Sequence, residues 1–251
     1  MSPRRVVLAF GLLLVVGLAS APGSAAAASG WSAPTPIDNS YNTAAVSCAS
    51  SSFCVAVAGQ DAVIITDSGT TFSAPAAIDP HGGLSAVSCA SSSFCAAVDQ
   101  AGNAFTYNGS TWSAPASIDS ASGLSSVSCP TASFCAAVDS SGNVLTYGGS
   151  TWSAPASIDS ASGFTSVSCP TASFCAAVDQ SGNVLTYNGS TWSLPASIDP
   201  LGGGLNSVSC ASSTFCAAVD NVGAVVTYNG AWSAPATIDP SNYTIFLISV
   251  S

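Results

Sequence analysis

The sequence is nearly devoid of basic residues. Lys is absent, and Arg occurs only as Arg4 and Arg5 in a chain of 251 residues. Glu is also absent, so all 12 acidic residues are Asp, and His81 is the single histidine. Nucleic acids and anionic membrane surfaces are bound mainly through Lys and Arg. The composition therefore argues against both as partners.

One long apolar run, Val6–Ala19, follows the two arginines and precedes an Ala- and Ser-rich stretch. It is shorter than the roughly 18 residues that cross a bilayer, and the small residues after it are typical of a cleavage region. We therefore predict a secretory signal peptide over residues 1–28 and an exported domain over residues 29–251, without membrane insertion. Removal of the signal peptide leaves His81 as the sole basic side chain and a net charge of about −12.

Ten cysteines form five pairs, with five residues between the members of each pair. In an exported chain, cysteines in a regular framework indicate disulfides. The repeated spacing predicts that each pair closes on itself: Cys48 with Cys54, Cys89 with Cys95, Cys129 with Cys135, Cys169 with Cys175, and Cys210 with Cys216. A zinc site made of cysteines alone is the alternative, but the spacing does not match common zinc motifs.

Successive cysteine pairs start 41, 40, 40 and 41 residues apart, and the surrounding sequence repeats with the same period. In the third copy, turn signals separate four candidate strands: A (Ser125–Cys129), B (Phe134–Asp139), C (Asn143–Tyr147) and D (Thr151–Ile158). Strand D contains Pro155, which suits an edge strand. Four strands in a repeat of about 40 to 45 residues are the signature of a β-propeller blade. No segment has a helical period, which argues against helical and leucine-rich repeats.

The sequence thus predicts an all-β protein, a β-propeller of about five complete four-stranded blades with one disulfide in each blade. The blades are expected at residues 41–79, 82–119, 123–159, 163–199 and 204–239. Residues 31–38 form an unmatched strand D in this scheme, and residues 243–251 an unmatched strand A. Either five blades close a ring, or the chain is a fragment of a ring of six or seven blades. The second interpretation is favoured, because residues 243–251 end within the repeat motif.

The stretch Ile65–Phe72 (ITDSGTTF) resembles the Asp-box, or BNR, hairpin of sialidase-like propellers, where an Asp-x-Gly-x-Thr-Trp/Phe turn joins the third and fourth strands. Thr106–Trp112 and the equivalent stretches ending at Trp152, Trp192 and Trp232 resemble shortened versions, with Asn or Gly in place of the Asp. The whole repeat is similar to those of secreted actinobacterial β-propeller proteins, which implies an extracellular protein of a Gram-positive bacterium. The Asp-box is a structural turn away from active sites, so this resemblance implies a fold and no activity.

Two sets of aspartates recur from blade to blade and are expected at one face, where the B–C and D–A loops meet. Propellers usually bind ligands at this face, so the predicted ligand-binding residues are Asp99, Asp139, Asp179, Asp220, Asp119, Asp159 and Asp199. Such carboxylates could hydrogen-bond sugar hydroxyls or hold Ca²⁺, although the loops have few acidic ligands for a dedicated calcium loop. No other cofactor is predicted. The alternative interpretation is that each Asp caps its own turn.

Catalysis is poorly supported by the sequence. Sialidases need basic residues for the substrate carboxylate, and the exported chain has no Arg, so the resemblance does not extend to sialidase activity. Two Asp could serve as the acid and base of a glycoside hydrolase, but every Asp here recurs, whereas a catalytic acid should be singular. His81 is singular, but no nucleophile motif surrounds it. We therefore predict no enzymatic activity and no catalytic residue.

The predicted function is that of a secreted binding module, which recognises an extracellular glycan or cell-wall polymer through repeated inter-blade sites and gains avidity from the repetition. The recurring aromatics, represented by Tyr147 and Trp152, would either stack on sugars or pack between blades. The alternative function is an extracellular scaffold for protein–protein interaction. A glycoside hydrolase that uses paired Asp is the least favoured.

Overall fold

The computed structural model describes residues 43–66, 71–200 and 203–238, which form five antiparallel sheets and their connections. We number these sheets, or blades, 1 to 5 in chain order. The predicted signal peptide, the two unmatched strands and Asp239 lie outside the described residues. Within the described part of the chain, no helix is long and apolar enough to cross a membrane.

Each blade begins with a hairpin of two long strands, A and B. The A strands are Thr43–Ser50, Leu84–Ser91, Leu124–Thr131, Phe164–Thr171 and Leu205–Ser212. The B strands are Phe53–Ala58, Phe94–Asp99, Phe134–Asp139, Phe174–Asp179 and Phe215–Asp220. Strand A is longer than predicted: in blade 3 it continues through Thr131, so that only Ala132 and Ser133 form the A–B turn.

Strands C and D complete each blade on its outer side. The C strands are Asp61–Thr66, Asn103–Tyr107, Asn143–Tyr147, Asn183–Tyr187 and Ala224–Tyr228. The D strands are Thr71–Phe72 with Ala76–Ala77 in blade 1, then Ala116–Ser117, Ala156–Ser157, Ala196–Ser197 and Ala236–Thr237. In blade 3 the predicted strand D is reduced to Ala156–Ser157 and an isolated bridge between Tyr147 and Trp152. Pro155 lies between these two pairings, because proline has no N–H to donate to strand C.

The turn between strands C and D holds the sequence that resembles an Asp-box. In blade 2, Asn108 Oδ1 accepts the N–H groups of Ser110 and Thr111 at 3.0 and 2.9 Å. Asn108 thus caps the turn, as expected for a short side chain with a carbonyl oxygen. In blade 1, residues 67–70 of the full-length Asp-box lie outside the described residues, so that identification stays a prediction.

One disulfide joins strand A to strand B in every blade, which confirms the predicted pairing. The Cα–Cα distances are 3.9 to 4.1 Å, as between facing residues of a hairpin. In blade 3 the register shifts between Ser128 and Thr131, so that Cys129 and Pro130 lie opposite Cys135. This bulge tolerates Pro130. Each short disulfide loop stabilises the folded chain by about 2 kcal/mol in the chain-entropy account.

Adjacent blades pack face to face, with the A strands on the inner side. The A strands of neighbouring blades contact one another in chain order, whereas those of blades 1 and 5, both described, do not pack together in this way. Val46 in blade 1 is 61% exposed, but its equivalent Val127 in blade 3 is only 6% exposed. Phe215 in blade 5 is 49% exposed, because no described blade follows it. The described residues therefore form a stack with two uncovered end faces.

The core lies between the sheets. In blade 3, Ala136, Ala137, Val138 and Leu145 are all 0% exposed, although successive residues of a strand point to opposite faces. Both faces of a central blade are therefore covered, and the small Ala and Cys side chains let neighbouring sheets approach closely. The predicted β-propeller packing is confirmed in these contacts.

Serine side chains connect one blade to the next. The Cys129 N–H of blade 3 donates to Ser88 Oγ of blade 2 at 2.9 Å, and Ser85 Oγ of blade 2 donates to Leu124 O at 2.7 Å. The cysteine bond recurs at all four boundaries between the described blades, at 2.9 to 3.0 Å. These bonds satisfy backbone groups of strand A, which has no strand on its inner side.

The B–C loop provides a test of how tightly the loops pack. Gly142 has a φ of +84°, and a Cβ there would lie 1.5 Å from Asp159 O. Gly142 O also accepts the Ile158 and Asp159 N–H groups at 3.1 and 3.0 Å, so the loop cannot move without breaking the end of strand D. We expect Gly142→Ala to lower the free energy of unfolding by about 2 kcal/mol or more in a urea titration.

The matched control is Gly148→Ala. A Cβ at Gly148 meets nothing within 4 Å, so this variant should unfold at the wild-type urea concentration. Equal midpoints for the two variants would contradict the packing described for the B–C loop.

Candidate functional site

The first predicted set of aspartates ends strand B and lies inside the B–C loop. Asp139 Oδ1 accepts the Ser141 and Asn143 N–H groups at 2.9 and 2.7 Å, and its Oδ2 accepts Asn143 Nδ2–H at 2.6 Å. Asp99 and Asp179 accept the same three bonds in their loops. All three aspartates are 0% exposed. They supply the acceptors that the turn's backbone N–H groups need.

The B–C loop of blade 5 departs from this pattern. Asp220 Oδ1 accepts the Val222 and Ala224 N–H groups at 3.0 and 2.6 Å. Ala224 stands where the other loops of this type have Asn, and Asp220 Oδ2 is buried without a hydrogen-bond partner. This loop therefore lacks one charge-assisted hydrogen bond that blades 2, 3 and 4 have.

The second predicted set closes strand D, where the D–A loop begins. Asp119 Oδ1 accepts the Ala121 and Ser122 N–H groups at 3.0 and 3.2 Å, and Asp159 Oδ1 accepts the Ala161 N–H at 3.0 Å. Asp119, Asp159 and the equivalent Asp199 are 2 to 3% exposed. The second carboxyl oxygens of Asp119 and Asp159 are buried and have no hydrogen-bond donor.

The structure brings the two sets together across blade boundaries. Burial raises the pKa of Asp119, and a hydrogen bond and charge repulsion from Asp139 of the next blade raise it further. Burial also raises the pKa of Asp179, as does a hydrogen bond with Asp159 of the preceding blade. The seven predicted site residues thus lie at the loops but below the surface, and six of them accept hydrogen bonds from backbone N–H groups of the turns.

The aspartates of these loops were also considered as ligands for Ca²⁺. Among the described residues, no three His, Cys, Asp or Glu side chains are grouped closely enough to hold a metal ion. Ca²⁺ usually takes six to eight oxygen ligands. His81 is exposed, and its backbone N–H donates to Asp79 Oδ1 at 3.0 Å. Ca²⁺ binding stays a prediction.

An aromatic run crosses each boundary near the outer edge. Phe94 of blade 2 stacks on Tyr147 of blade 3 with a ring centroid distance of 5.7 Å, and Tyr147 contacts Trp152 at 5.4 Å. The other three boundaries of the described blades repeat this run, with Phe–Tyr distances of 5.8 to 6.2 Å and Tyr–Trp distances of 5.2 to 5.4 Å. Tyr147 is buried, whereas Trp152 is half-buried. The tyrosine packs between blades and the tryptophan borders the surface.

Clefts open beside two of the corresponding tryptophans, Trp112 and Trp232; we call them the outer clefts. The outer cleft between blades 1 and 2 encloses about 370 Å³. Its walls are Ala62, Ile64, Ser73, Ala74, Ala76 and Ile78 of blade 1, and Tyr107, Ser110, Thr111 and Trp112 of blade 2. Trp112 Nε1 is buried and has no hydrogen-bond partner. The same holds for Trp192 Nε1 in blade 4. A buried indole N–H normally has an acceptor, so these two donors lack the partner that an indole usually has.

The outer cleft between blades 4 and 5 encloses about 320 Å³ and has the same kind of lining, including Thr186, Tyr228 and Trp232. Leu194 borders this cleft and is 85% exposed, whereas the other blades have Ala at that position. The outer clefts thus share aromatic rings and hydroxyl groups and differ in detail.

A second series of depressions, the inner grooves, lies where strand A begins. Between blades 2 and 3 the inner groove encloses about 470 Å³ and is lined by Ser85, Gln100, Gly123, Leu124, Ser125 and Ser140. Between blades 4 and 5 it encloses about 330 Å³ and is lined by Thr165, Gln180, Gly203, Gly204, Leu205, Asn206 and Asn221. Amides and hydroxyls dominate both linings, without a charged side chain.

Comparison with known proteins identifies the fold. No family model matches the chain, and no curated protein is recognisably similar in sequence. Among solved structures, the RRP9 WD40 repeats align with a TM-score of 0.65 and 8% identity, over 79% of this chain and 63% of that chain. YCF48 from Cyanidioschyzon merolae aligns with a TM-score of 0.60 and 18% identity, over 83% and 74% of the two chains. YCF48 bound to a D1 peptide aligns with a TM-score of 0.58 and 14% identity, over 78% and 66%.

These solved structures are β-propeller proteins, and likeness at such low identity establishes the fold alone. The chain spans 66% of the peptide-bound YCF48 chain and 63% of the RRP9 chain. Together with the five disulfide-linked sheets, the likeness shows an all-β protein built from β-propeller blades.

The irregular loop of blade 5 tests the structural role of the buried aspartates. Ala224→Asn should place an amide donor beside Asp220 Oδ2 and raise the free energy of unfolding by about 1 kcal/mol. The reciprocal change Asn143→Ala removes the same bond from blade 3 and should lower it by about 1 to 2 kcal/mol. Urea unfolding measures the change in the free energy of unfolding for each variant. A destabilised Ala224→Asn protein would contradict the structural role assigned to Asp220.

Proposed function

We propose that this protein is a secreted, non-enzymatic binding module that recognises neutral extracellular glycans or cell-wall polymers in its outer clefts. The observation that carries the proposal is the outer cleft itself, where a half-buried tryptophan, hydroxyl groups and an unpartnered indole N–H come together between two blades. The arrangement of ring contacts beside the cleft recurs at every boundary between described blades.

The lining of the outer clefts suits a sugar ring. An aromatic face packs against the apolar C–H groups of a pyranose, while Ser110, Thr111 and the Trp112 N–H offer hydrogen bonds to its hydroxyls. A volume of about 370 Å³ lies at the lower end of the range for small-ligand pockets, so each outer cleft suits one or two sugar units. Longer polymers would then engage several clefts and gain avidity.

Charge favours a neutral ligand. The chain has no Lys and only two Arg, both within the predicted signal peptide, against 12 Asp. A net negative protein repels anionic polymers at long range, and no described side chain offers a guanidinium or ammonium to bind them. Neutral glycans bind through hydrogen bonds and ring contacts, and these do not depend on a counter-charge.

The buried position of the aspartates supports a binding role over hydrolysis. A glycoside hydrolase needs two carboxyl groups that flank the scissile bond and touch the substrate. The paired carboxyls Asp119 and Asp139 are 2% and 0% exposed, and Asp159 and Asp179 are 3% and 0% exposed. Carboxyls at this depth cannot reach a glycosidic bond without opening the loops that they hold together.

Replacing the indole N–H tests the outer clefts as binding sites. Trp112→Phe keeps an aromatic ring in the outer cleft between blades 1 and 2 but removes its unpartnered donor. Against neutral soluble oligosaccharides (chito-, xylo- and cello-oligosaccharides), we expect the oxidised wild-type protein to bind at least one series. The variant should bind that series about five- to tenfold more weakly at the altered cleft, as for one lost hydrogen bond. Isothermal titration calorimetry measures the affinity of each protein for the oligosaccharide.

The matched control is Ser140→Ala, which alters an inner groove and leaves the outer clefts intact. It should bind the oligosaccharide like the wild type. If no neutral oligosaccharide binds, or if Ser140→Ala weakens binding while the tryptophan variant does not, the outer clefts are not the glycan site.

An extracellular protein-interaction scaffold is the second candidate, and the inner grooves favour it. They lie at the start of the A strands and carry amide and hydroxyl groups that could bind an extended peptide backbone. One structurally similar propeller, YCF48, was solved with a bound peptide. A screen of exported proteins for binding should then detect a partner whose binding is lost in Ser140→Ala and retained in the tryptophan variant.

A further inference from the structure

Three of the turns between strands C and D carry the dipeptide Asn-Gly at their tips. The dipeptides are Asn108-Gly109 in blade 2, Asn188-Gly189 in blade 4 and Asn229-Gly230 in blade 5. All of these residues are exposed, and the three glycines have positive φ angles of 82° to 95°. The three sites are therefore alike in sequence, in exposure to water and in the conformation of the glycine.

The three turns differ in the hydrogen bonds that hold the asparagine side chain. Asn108 Oδ1 accepts the N–H groups of Ser110 and Thr111 at 3.0 and 2.9 Å, and the Ser110 hydroxyl donates to the same oxygen at 3.1 Å. Asn188 Oδ1 accepts the three equivalent bonds, each at 3.0 Å. The turn of blade 5 is one residue shorter, and no donor in the described part of the chain reaches the side chain of Asn229.

The hydrogen bonds at Asn108 hold two atoms that can react with each other. The bond from the Ser110 N–H to Asn108 Oδ1 closes a ring of atoms that contains both Asn108 Cγ and the Gly109 nitrogen. Among the described residues, no acceptor binds the Gly109 N–H, so this nitrogen is available for reaction. When it attacks Cγ, negative charge develops on Oδ1, to which three donors are already bonded.

We propose that the turns at Asn108 and Asn188 promote the deamidation of their own asparagine. The nitrogen of the following glycine loses its proton to water and bonds to the side-chain Cγ. The bond from Cγ to Nδ2 then breaks, and the NH₂ group takes up a proton and leaves as ammonia. One water adds to a carbonyl carbon of the resulting succinimide and opens the ring to aspartate or isoaspartate. The net reaction converts asparagine and water into an aspartyl carboxylate and ammonium.

The three donors at Asn108 Oδ1 form an oxyanion hole for this reaction. In the tetrahedral intermediate the charge lies on Oδ1, and hydrogen bonds to a charged acceptor are about twice as strong as those to a neutral amide. The carboxylate formed at position 108 keeps the same donors. Its charge lies beside the outer cleft between blades 1 and 2, because Ser110 and Thr111 line that cleft.

A comparison of the folded and the unfolded chain tests the proposal. The oxidised protein is incubated at one pH and temperature with and without concentrated urea, and peptide mapping by mass spectrometry follows the replacement of NH₂ by OH at each asparagine. In the folded protein, Asn108 and Asn188 should react about tenfold faster than Asn229. In urea the three rates should converge, because the turn bonds are lost and the dipeptide is the same.

Two variants separate the hydrogen bonds from the sequence. Ser110→Ala removes one donor from Asn108 and should slow its reaction about three- to tenfold, as for one lost hydrogen bond. Asn188 in the same molecule is the unchanged control. Gly148→Asn builds the same Asn-Gly-Ser-Thr turn in blade 3, where a Cβ meets nothing within 4 Å. The introduced asparagine should react as fast as Asn108.

Two results would overturn the proposal. Equal rates at Asn108 and Asn229 in the folded protein would show that the turn bonds do not stabilise the reacting oxygen. A slower reaction of Asn108 in the folded protein than in urea would show that these bonds hold the side chain away from the glycine nitrogen and protect it.

Discussion

Neighbouring sheets pack in close contact, and this packing determines how the strands, loops and disulfides of each blade are arranged. A single blade would leave apolar side chains exposed on both of its faces, and its inner strand would lack a hydrogen-bonded neighbour on one side. Stacking provides both the burial and the hydrogen bonds. Ala136 and Val138 are fully buried between sheets, and the Cys129 N–H donates to Ser88 Oγ of the preceding blade. Stability in such repeat proteins is carried by nearest-neighbour interfaces. The disulfides then hold each hairpin in the shape that stacking requires.

The loops obey the same constraint in a chain that has almost no positive charge. Backbone N–H groups of tight turns need acceptors, and buried aspartates supply them in every complete B–C loop from blade 2 onward. Bringing these loops together also brings carboxyls together, without Lys or Arg to balance them. Many of the aspartates are therefore buried inside the loops, and the clefts and grooves between blades are lined by tryptophan, hydroxyl and amide groups.

Much of the fold follows from the sequence, because a repeat shows the same pattern five times. The cysteine period predicted the blades and the disulfides, and strands B and C of blade 3 begin and end where turn residues such as Gly142 indicated. Strand A was predicted too short, since the bulge at Cys129 and Pro130 reads as a loop in sequence. The hydrogen bond from the Cys129 N–H to Ser88 Oγ could not be predicted, because it joins residues of different repeats and depends on how adjacent sheets are placed. The recurrence of an aspartate in every repeat could not show whether its side chain binds a ligand at the surface or accepts hydrogen bonds inside a turn.

If the boundary between blades is the binding unit as well as the stabilising one, the number of ligands bound per chain should follow the number of boundaries. Five described blades make four boundaries with the same ring contacts, and outer clefts are described at two of them. Titration of the oxidised protein to saturation with a short neutral oligosaccharide, followed by mass spectrometry of the native complex, counts the bound molecules. We expect between two and four bound molecules per chain, because two outer clefts are described and the ring contacts beside them recur at four boundaries. Saturation at one per chain would contradict this expectation and would point to a single site shared by all the blades.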